Sequence, residues 1–249
     1  MYYFVSDIHL VALAADGERS GREKLFIRWL DAAARDAEAI FIVGDMFDFW
    51  YEYRHVVPKG FTRLLGKLSS LADSGLPIHF FVGNHDMWAY DYLAQECGIN
   101  VHHTPLETIL YGKKCFISHG DDITARQSAW PTRFMNACFR SRGVRWVFSH
   151  CLHPDLAMRF GHAWSAHSRN SKAVKHRFLA ENEPMVQFAR KSLEQQHFDY
   201  FIFGHNHCAE IYPLSDSSET VFLGEWFESP VYAVMTPDGK VSLHEVRVE

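Results

Sequence analysis

Five short apolar runs, each followed at once by acidic, amide or histidine side chains, constrain the fold of this chain more than any other feature. In chain order they read MYYFVSDIH, AIFIVGD, IHFFVGNHD, KCFISHGD and YFIFGHNH. Apolar runs of this length that stop at turn residues are typical of strands buried on both faces. Because residues 23–37 and 61–72 carry apolar side chains at helical spacing, strands and helices alternate, and the pattern predicts a layered α/β fold.

The last part of the chain has a different pattern. The segments TVFLGEW, VYAVMT and KVSLHEVRV alternate like antiparallel strands, with a hairpin turn at residues 237–239. The chain has 249 residues, 47% of them hydrophobic, which is enough for a sizeable core. We therefore predict a single domain over residues 1–249.

One segment, at about residues 125–180, interrupts the alternation of strand and helix. It contains ten Lys or Arg residues but a single acid, Asp155, and it is rich in Trp, Phe and Leu. The pattern is helical and amphipathic, and we interpret it as an insertion or lid within the domain. Such a segment suits an anionic amphiphile or a membrane surface. The alternative is a helical cap whose aromatic side chains pack on the core and whose charges face water.

Composition excludes several other classes of protein. The net charge of −5 argues against a general nucleic-acid-binding protein, although single-stranded nucleic acid stacked on the aromatics of the basic segment is a weaker option. No window approaches 18 uninterrupted apolar residues, and the amino-terminal residues lack the features of a secretory signal. The five Cys form no CxxC pair, which favours reduced thiols and a cytoplasmic protein.

The side chains that follow the apolar runs form a candidate metal-binding set. They are two carboxylates, one amide and four imidazoles: Asp7, His9, Asp45, Asn84, His119, His205 and His207. Mixed oxygen and nitrogen donors suit Mn, Fe or Zn better than Ca. Seven donors exceed the needs of one ion, and a carboxylate such as Asp45 can bridge two. Two ions roughly 3.5–4 Å apart can act together on a phosphoryl group. Any one motif alone could be an ordinary turn or cap, but all five in this order favour a metal centre.

The order of these motifs resembles the calcineurin-like metallophosphoesterase superfamily. The motifs are SDIH, GDMFD, GNHD, SHGD and GHNH, and the resemblance extends from Met1 to about Val234. It implies a four-layer fold in which two packed β-sheets are flanked by helices. It also implies two divalent ions, for which we expect manganese, with iron or zinc as alternatives.

The resemblance also assigns the ligands and a catalytic group. One ion would be held by Asp7, His9, Asp45 and His207, and the other by Asp45, Asn84, His119 and His205. In the superfamily, the residue at the position of His85 acts on the phosphate or leaving group and is not a ligand, and an acid such as Asp86 or Asp48 orients it. An imidazolium there could meet the charge that develops on the leaving oxygen. The alternative is a histidine that only packs at the turn.

Within the superfamily, the size and the helical insertion resemble the UDP-2,3-diacylglucosamine diphosphatases of lipid A synthesis. Those enzymes cleave a pyrophosphate to give lipid X and UMP. The stretch SAHSRNSKAV resembles the segment by which that family contacts its substrate, which makes Arg169, Asn170 and Lys172 candidate substrate contacts beside Asn84 and His85. The resemblance implies an anionic nucleotide-sugar lipid as substrate. It also implies that the protein acts at the cytoplasmic face of the inner membrane of a Gram-negative bacterium.

One residue departs from that family. Its well-known proteobacterial members carry Arg after the motif Asn, whereas this chain carries His85. Arginine is permanently charged, whereas histidine must be protonated to play the same role. We therefore expect the activity to depend more strongly on pH. The chain could therefore belong to a divergent branch of the same enzyme, or it could be a related phosphodiesterase or phosphomonoesterase of other or broad specificity. A separate alternative is a non-catalytic scaffold on the same fold.

Overall fold

Each of the five apolar runs forms a strand in the computed structural model. The structure describes residues 1–11, 18–53, 55–127, 130, 137–139, 141–161 and 178–246. The five strands are β1 (Tyr2–Val5), β2 (Ala39–Val43), β3 (Ile78–Phe81), β6 (Lys113–Ser118) and β7 (Tyr200–Phe203). All residues of β2 and β7 are buried, as expected of strands covered on both faces.

The strands belong to two sheets. The first adds β4 (Asn100–His102), β10 (Val231–Met235) and β11 (Val241–Glu245), in the order β11-β10-β1-β2-β3-β4. Within it, β1 to β4 run parallel, and β10 and β11 are joined antiparallel by the predicted hairpin. The second sheet adds β5 (Leu106–Leu110), β8 (Ala209–Ser215) and β9 (Ser218–Leu223), in the order β5-β6-β7-β9-β8. Its three central strands are parallel.

The predicted four-layer arrangement is confirmed by the way side chains alternate along the strands. On β2, Phe41 points into the core between the two sheets, whereas Ile40 and Ile42 point towards the helices of the first sheet. On β7, Ile202 enters the core between the sheets, and Phe203 packs on the far side. Each fully buried side chain of this size stabilises the fold by about 1.5–3 kcal/mol relative to leaving it exposed. Three continuous apolar layers therefore hold the sheets and helices together.

The helices form the outer layers. They are α1 (Glu18–Ala33), α2 (Thr62–Asp73), α3 (Tyr92–Cys97), α4 (Asp121–Gln127), α5 (Arg142–Cys151), α6 (154–161) and α7 (Pro184–Leu193). The predicted helix at residues 61–72 matches α2 closely. It begins after Phe61, whose left-handed backbone, at φ 59°, cannot continue a helix. The predicted helix at residues 23–37 ends at Ala33, because the chain must turn before β2 begins at Ala39.

The described part of the basic segment is helical, as its sequence predicts. Residues 137–139 and 141–161 of this segment, which include α5 and α6, are called the cap below. The description of residues 1–249 as one domain with an insertion stays a prediction. The candidate substrate contacts Arg169, Asn170 and Lys172 lie outside the described residues. Across the described ranges, none of the helices combines the length and the apolar character that a membrane crossing requires.

Candidate metal centre

The predicted ligands meet at one edge of the two sheets. Asp7 and His9 follow β1, Asp45 follows β2, and Asn84 follows β3. From the second sheet, His119 follows β6, and His205 and His207 follow β7. Because these strands are parallel within each sheet, their carboxyl ends lie on the same side. The structure thus brings together side chains that are up to 200 residues apart in sequence, which the strand-end pattern predicted.

The backbone at five of these residues is left-handed, which is uncommon for residues other than glycine. The residues and their φ angles are Asp7 54°, His9 46°, Asp45 51°, His205 68° and His207 59°. Each such residue costs roughly 1–2 kcal/mol relative to ordinary backbone. Strain of this kind concentrates at functional sites, where the surrounding fold enforces it. The left-handed turns direct the side chains into the crevice directly after each strand.

Two motif glycines make room for the side chains of neighbouring motifs. A Cβ on Gly83 would lie 2.1 Å from Oδ1 of Asp45. One on Gly204 would lie 2.0 Å from Oγ of Ser6 and 2.8 Å from Oδ2 of Asp7. Any larger residue would therefore displace a carboxylate of the site. The glycines of GNHD and GHNH are thus part of the site geometry.

Asp7 is the centre of the first group of side chains. Its Oδ1 lies 3.2 Å from Nε2 of His207 and 3.6 Å from Nε2 of His9. Its Oδ2 accepts hydrogen bonds from the Ser6 hydroxyl (2.7 Å) and from the backbone N–H of His205 (2.8 Å). One carboxylate oxygen is thus fixed by the protein, and the other faces two imidazoles. Ser6, which the sequence did not single out, holds this orientation.

Asp45 is the centre of the second group and joins it to the first. Its Oδ2 lies 3.4 Å from Nε2 of His119 and 3.7 Å from Nε2 of His9. Its Oδ1 accepts the backbone N–H of His85 at 2.9 Å. Nδ1 of His119 lies 2.8 Å from the carbonyl oxygen of Val43 and therefore donates to it, which directs Nε2 towards Asp45. Asp45 thus faces both groups, as a bridging carboxylate must.

The electrostatics of the site favour ionised carboxylates. Burial would raise the pKa of the Asp7 carboxyl, but the His207 and His9 imidazoles hold it well below its usual range. Burial acts on the Asp45 carboxyl in the same way, and the neighbouring imidazoles, His119 first among them, lower its pKa. Burial would lower the pKa of His119, but Asp45 raises it to about 10. Two buried anions therefore draw positive charge into the site, and a metal ion can supply it in place of a proton.

Unsatisfied polar atoms test whether the site suits a metal. In the described part of the chain, buried atoms of this cluster that make no hydrogen bond of good geometry include Asp7 Oδ1, His9 Nδ1 and Nε2, Asn84 Oδ1, His119 Nε2 and His207 Nε2. An unsatisfied buried polar group costs about 1–3 kcal/mol, so several in one place require an explanation. Donor atoms of Asp7, His9 and His207 lie within 4.8 Å of one another, as do those of Asp7, Asp45 and His119. Mixed oxygen and nitrogen donors at this spacing fit transition-metal ions.

His85 lies beside this cluster and has a defined orientation. Its Nδ1 lies 2.9 Å from the backbone carbonyl oxygen of Asp48, which only accepts, so Nδ1 carries a proton and donates. The Asp86 carboxylate accepts backbone N–H groups of Gly83 (2.7 Å) and Phe47 (3.2 Å). Burial and the charge of Asp45 raise the pKa of Asp86 to about 8. The contact that orients His85 is thus made by a backbone carbonyl, and the catalytic role of Asp86 stays a prediction.

A partly open cavity lies beside His85 and Asn84. Phe49 and Trp88 line it from the core, and Phe139 and Phe160 line it from the cap. The indole N–H of Trp88 donates to the carbonyl oxygen of Phe139 at 2.8 Å.

Further contacts hold the cap over the cavity. The Tyr51 hydroxyl donates to the carbonyl oxygen of Arg145 at 3.3 Å, and the Tyr53 hydroxyl donates to that of Leu152 at 3.4 Å. Gly161 packs so close to Phe49 that a Cβ there would lie 2.3 Å from the ring. An apolar space thus adjoins the polar centre directly.

Comparison with known proteins agrees with the site. The family model "Calcineurin-like phosphoesterase" matches residues 2–209. A UDP-2,3-diacylglucosamine hydrolase of Porphyromonas gingivalis is 36% identical over 93% of this chain and 92% of its own length. Enzymes of the same name from Actinobacillus succinogenes and Shewanella pealeana are 26% and 27% identical over 94% and 95% of this chain, and 95% and 94% of theirs. The chain belongs to the calcineurin-like phosphoesterase family of metal-dependent hydrolases.

Proposed function

We propose that the strand-end cluster binds two divalent ions, and that manganese fills the site. Asp7, His9, Asp45 and His207 would hold the first ion, and Asp45, Asn84, His119 and His205 the second. The unsatisfied buried donor atoms and the two ionised carboxylates support this assignment. Bound there, two such ions would neutralise charge on the phosphoryl oxygens and would lower the pKa of a water molecule enough for its hydroxide form to act as nucleophile.

In this proposal, His85 assists the reaction from the edge of the cluster. Because its Nδ1 is held by the Asp48 carbonyl oxygen, the proton it can exchange with substrate is at Nε2. An Nε2–H group can donate to a phosphoryl oxygen or to the leaving oxygen as charge develops there. Asp48 thus contacts His85 through its backbone carbonyl, and its carboxylate Oδ1 lies 3.8 Å from Nδ1 of His9.

We further propose the pyrophosphate of UDP-2,3-diacylglucosamine as the substrate, with 2,3-diacylglucosamine 1-phosphate and UMP as products. The observation that carries this proposal is the match to UDP-2,3-diacylglucosamine hydrolases over almost the whole chain. The aromatic cavity beside His85 supports it, because an acyl chain needs an apolar space next to the phosphoryl centre.

Purified protein supplied with Mn²⁺ should release UMP from UDP-2,3-diacylglucosamine and lose this activity when a chelator removes the metal. UDP-N-acetylglucosamine, which lacks the long acyl chains, should be a poor substrate. Burial of only four methylene groups provides about 3 kcal/mol, so kcat/KM should differ by at least a factor of about 100. Chromatographic measurement of UMP checks both expectations.

A panel of simple substrates provides the control for this experiment. Faster turnover of bis-p-nitrophenyl phosphate or a cyclic nucleotide than of the lipid substrate would contradict the proposed specificity and favour a general phosphodiesterase. No turnover of any ester, with metal bound, would favour a non-catalytic scaffold.

We also propose that the cap contacts a membrane surface, where such a lipid substrate resides. On α5, Trp146 is 57% exposed and Val147 50%. On α6, Leu156 is 53% exposed, and Arg159 is exposed beside it. Exposed aromatic and aliphatic side chains next to cations suit the interface of an anionic bilayer.

The substitution Trp146→Ser should weaken binding to phosphatidylglycerol-containing vesicles at least about tenfold, because burying a large apolar side chain provides about 1.5–3 kcal/mol. Co-sedimentation with vesicles measures the effect. The matched control is Ile109→Ser, which removes a 69% exposed apolar side chain from β5, outside the cap. Equal losses in both variants, or no sedimentation of the unmodified protein, would exclude a specific role for the cap.

A further inference from the structure

Thr124, on α4, connects the fourth and fifth motifs through its side chain. Its Oγ1 lies 3.0 Å from Nε2 of His205 and 3.0 Å from the carbonyl oxygen of Asp121. His205 and His119 are neighbours as well, with ring centroids 5.2 Å apart. The helix that begins directly after His119 and Gly120 therefore places a hydroxyl group against a histidine of the other motif.

The carbonyl oxygens of Asp121, at 3.0 Å, and Gly120, at 3.5 Å, offer acceptors for the hydrogen of the Thr124 hydroxyl. A threonine hydroxyl has one hydrogen, and a carbonyl oxygen can only accept. If Thr124 donates to the Asp121 carbonyl, its oxygen accepts the N–H at Nε2 of His205. A neutral imidazole protonated at Nε2 has its lone pair on Nδ1. The arrangement thus selects Nδ1 of His205 as the atom that can bind a metal.

A purely structural explanation accounts for only half of this geometry. Thr in a helix commonly bonds a carbonyl three or four residues earlier, and the contact with Asp121 is of that kind. Such a bond does not require an imidazole nitrogen 3.0 Å away on the other side of the hydroxyl. At the partner motif, the Val43 carbonyl oxygen holds Nδ1 of His119 and so directs Nε2 to the site. Each of the two histidines is therefore oriented through the nitrogen that the site does not use.

We infer that Thr124 is a positioning residue that fixes the Nε2–H tautomer of His205 and so prepares Nδ1 to bind the second metal ion. This inference rests on the proposed metal site. Partners of this type around a metal-binding histidine change metal affinity by about 10–100-fold when they are removed.

The test compares Thr124→Val with Thr124→Ser in the full-length protein. Valine keeps the shape of threonine and removes the hydroxyl, whereas serine retains it. Thr220→Val is the matched control, because Thr220 is fully buried and its hydroxyl donates to the Tyr212 carbonyl oxygen at 3.2 Å. Titration with Mn²⁺ and Zn²⁺ gives stoichiometry and affinity. Nitrogen-15 NMR of the zinc-loaded protein reports which imidazole nitrogen of His205 carries the proton.

We expect Thr124→Val to bind the second ion about 10–100-fold more weakly, with the first ion unaffected, while Thr124→Ser and Thr220→Val bind both ions like the unmodified protein. In the unmodified and Thr124→Ser proteins, the proton should be at Nε2 of His205. Equal affinity in Thr124→Val, or a proton at Nδ1 in the unmodified protein, would overturn the inference. If the unmodified protein bound fewer than two ions, the metal-site proposal itself would fail, and that result is distinct from both.

Discussion

Replacing Asp45 with asparagine should reduce turnover below about one thousandth of the unmodified value and leave at most one metal ion bound. Asparagine keeps the size of the side chain but removes the charge that faces both groups of ligands, with Oδ2 3.4 Å from His119 and 3.7 Å from His9. Stabilisation of the transition state by metal ions is worth several kcal/mol, and each 1.36 kcal/mol is a factor of ten in rate. Steady-state kinetics and elemental analysis measure the two effects.

The Asp45 variant needs a control for the loss of any carboxylate. Asp199→Asn is a suitable control. The Asp199 carboxylate also pairs with a cation, the Lys113 ammonium at 3.1 Å, and accepts the backbone N–H of Lys114. That variant should retain both ions and full turnover. Two ions bound to Asp45→Asn with unchanged affinity would show that Asp45 is no bridging ligand, even if activity fell.

The strands that carry the site were predictable because their sequences are unambiguous. Strands buried on both faces, such as β2 and β7, appear as continuous apolar runs that end at turn residues. Strands at or near sheet edges were missed for an equally physical reason. β4 has three residues, β5 is mostly exposed on one face, and β8 contains Pro213 next to a register shift. Because few residues of these strands are buried, their sequences show no clear apolar run or alternation.

The candidate ligands were predictable for a related reason, whereas the residues that orient them were not. Each ligand lies within a few residues of a strand end, so strand prediction also locates it. The groups that contact these side chains and their neighbour His85 come from other parts of the fold: the Val43 carbonyl for His119, the Asp48 carbonyl for His85, and the Thr124 hydroxyl for His205. Every residue has a backbone carbonyl, so the residue type does not reveal which carbonyl orients a ligand. Thr124 lies one helical turn into α4, and its partner is 81 residues away.

Buried Glu52 illustrates the same limit outside the site. Its carboxylate accepts the indole N–H of Trp50 at 2.9 Å and the backbone N–H groups of Tyr90 and Asp91 at 2.8 and 3.0 Å. It thereby fixes the loop that follows the GNHD motif. The sequence around Glu52 contains no pattern that distinguishes this buried acid from an exposed one, because the backbone N–H groups that it accepts lie in a loop distant in sequence.

Removing the imidazole of His85 should lower turnover by about 10²–10⁴-fold while both metal ions stay bound. The Asp48 carbonyl holds the ring through Nδ1, which leaves Nε2 for the substrate. The structure also permits a competing role, because donor atoms of His85, His9 and Asp45 lie within 4.8 Å of one another. Kinetics and metal analysis of His85→Ala separate the two. Loss of an ion would make His85 a ligand, and full activity would make it a packing residue. The exposed His197 provides the control substitution, His197→Ala.

The variant His85→Arg sharpens this test. A guanidinium group can donate to a phosphoryl oxygen but is a poor metal ligand, since it carries no accessible lone pair. If His85 serves as a donor to substrate, His85→Arg should bind both ions and turn over faster than His85→Ala, with a weaker dependence on pH because arginine stays charged. If His85 is a ligand, arginine should lose the ion as alanine does. Metal content and pH–rate profiles of the two variants therefore decide whether position 85 requires a cationic hydrogen-bond donor or a lone pair that binds metal.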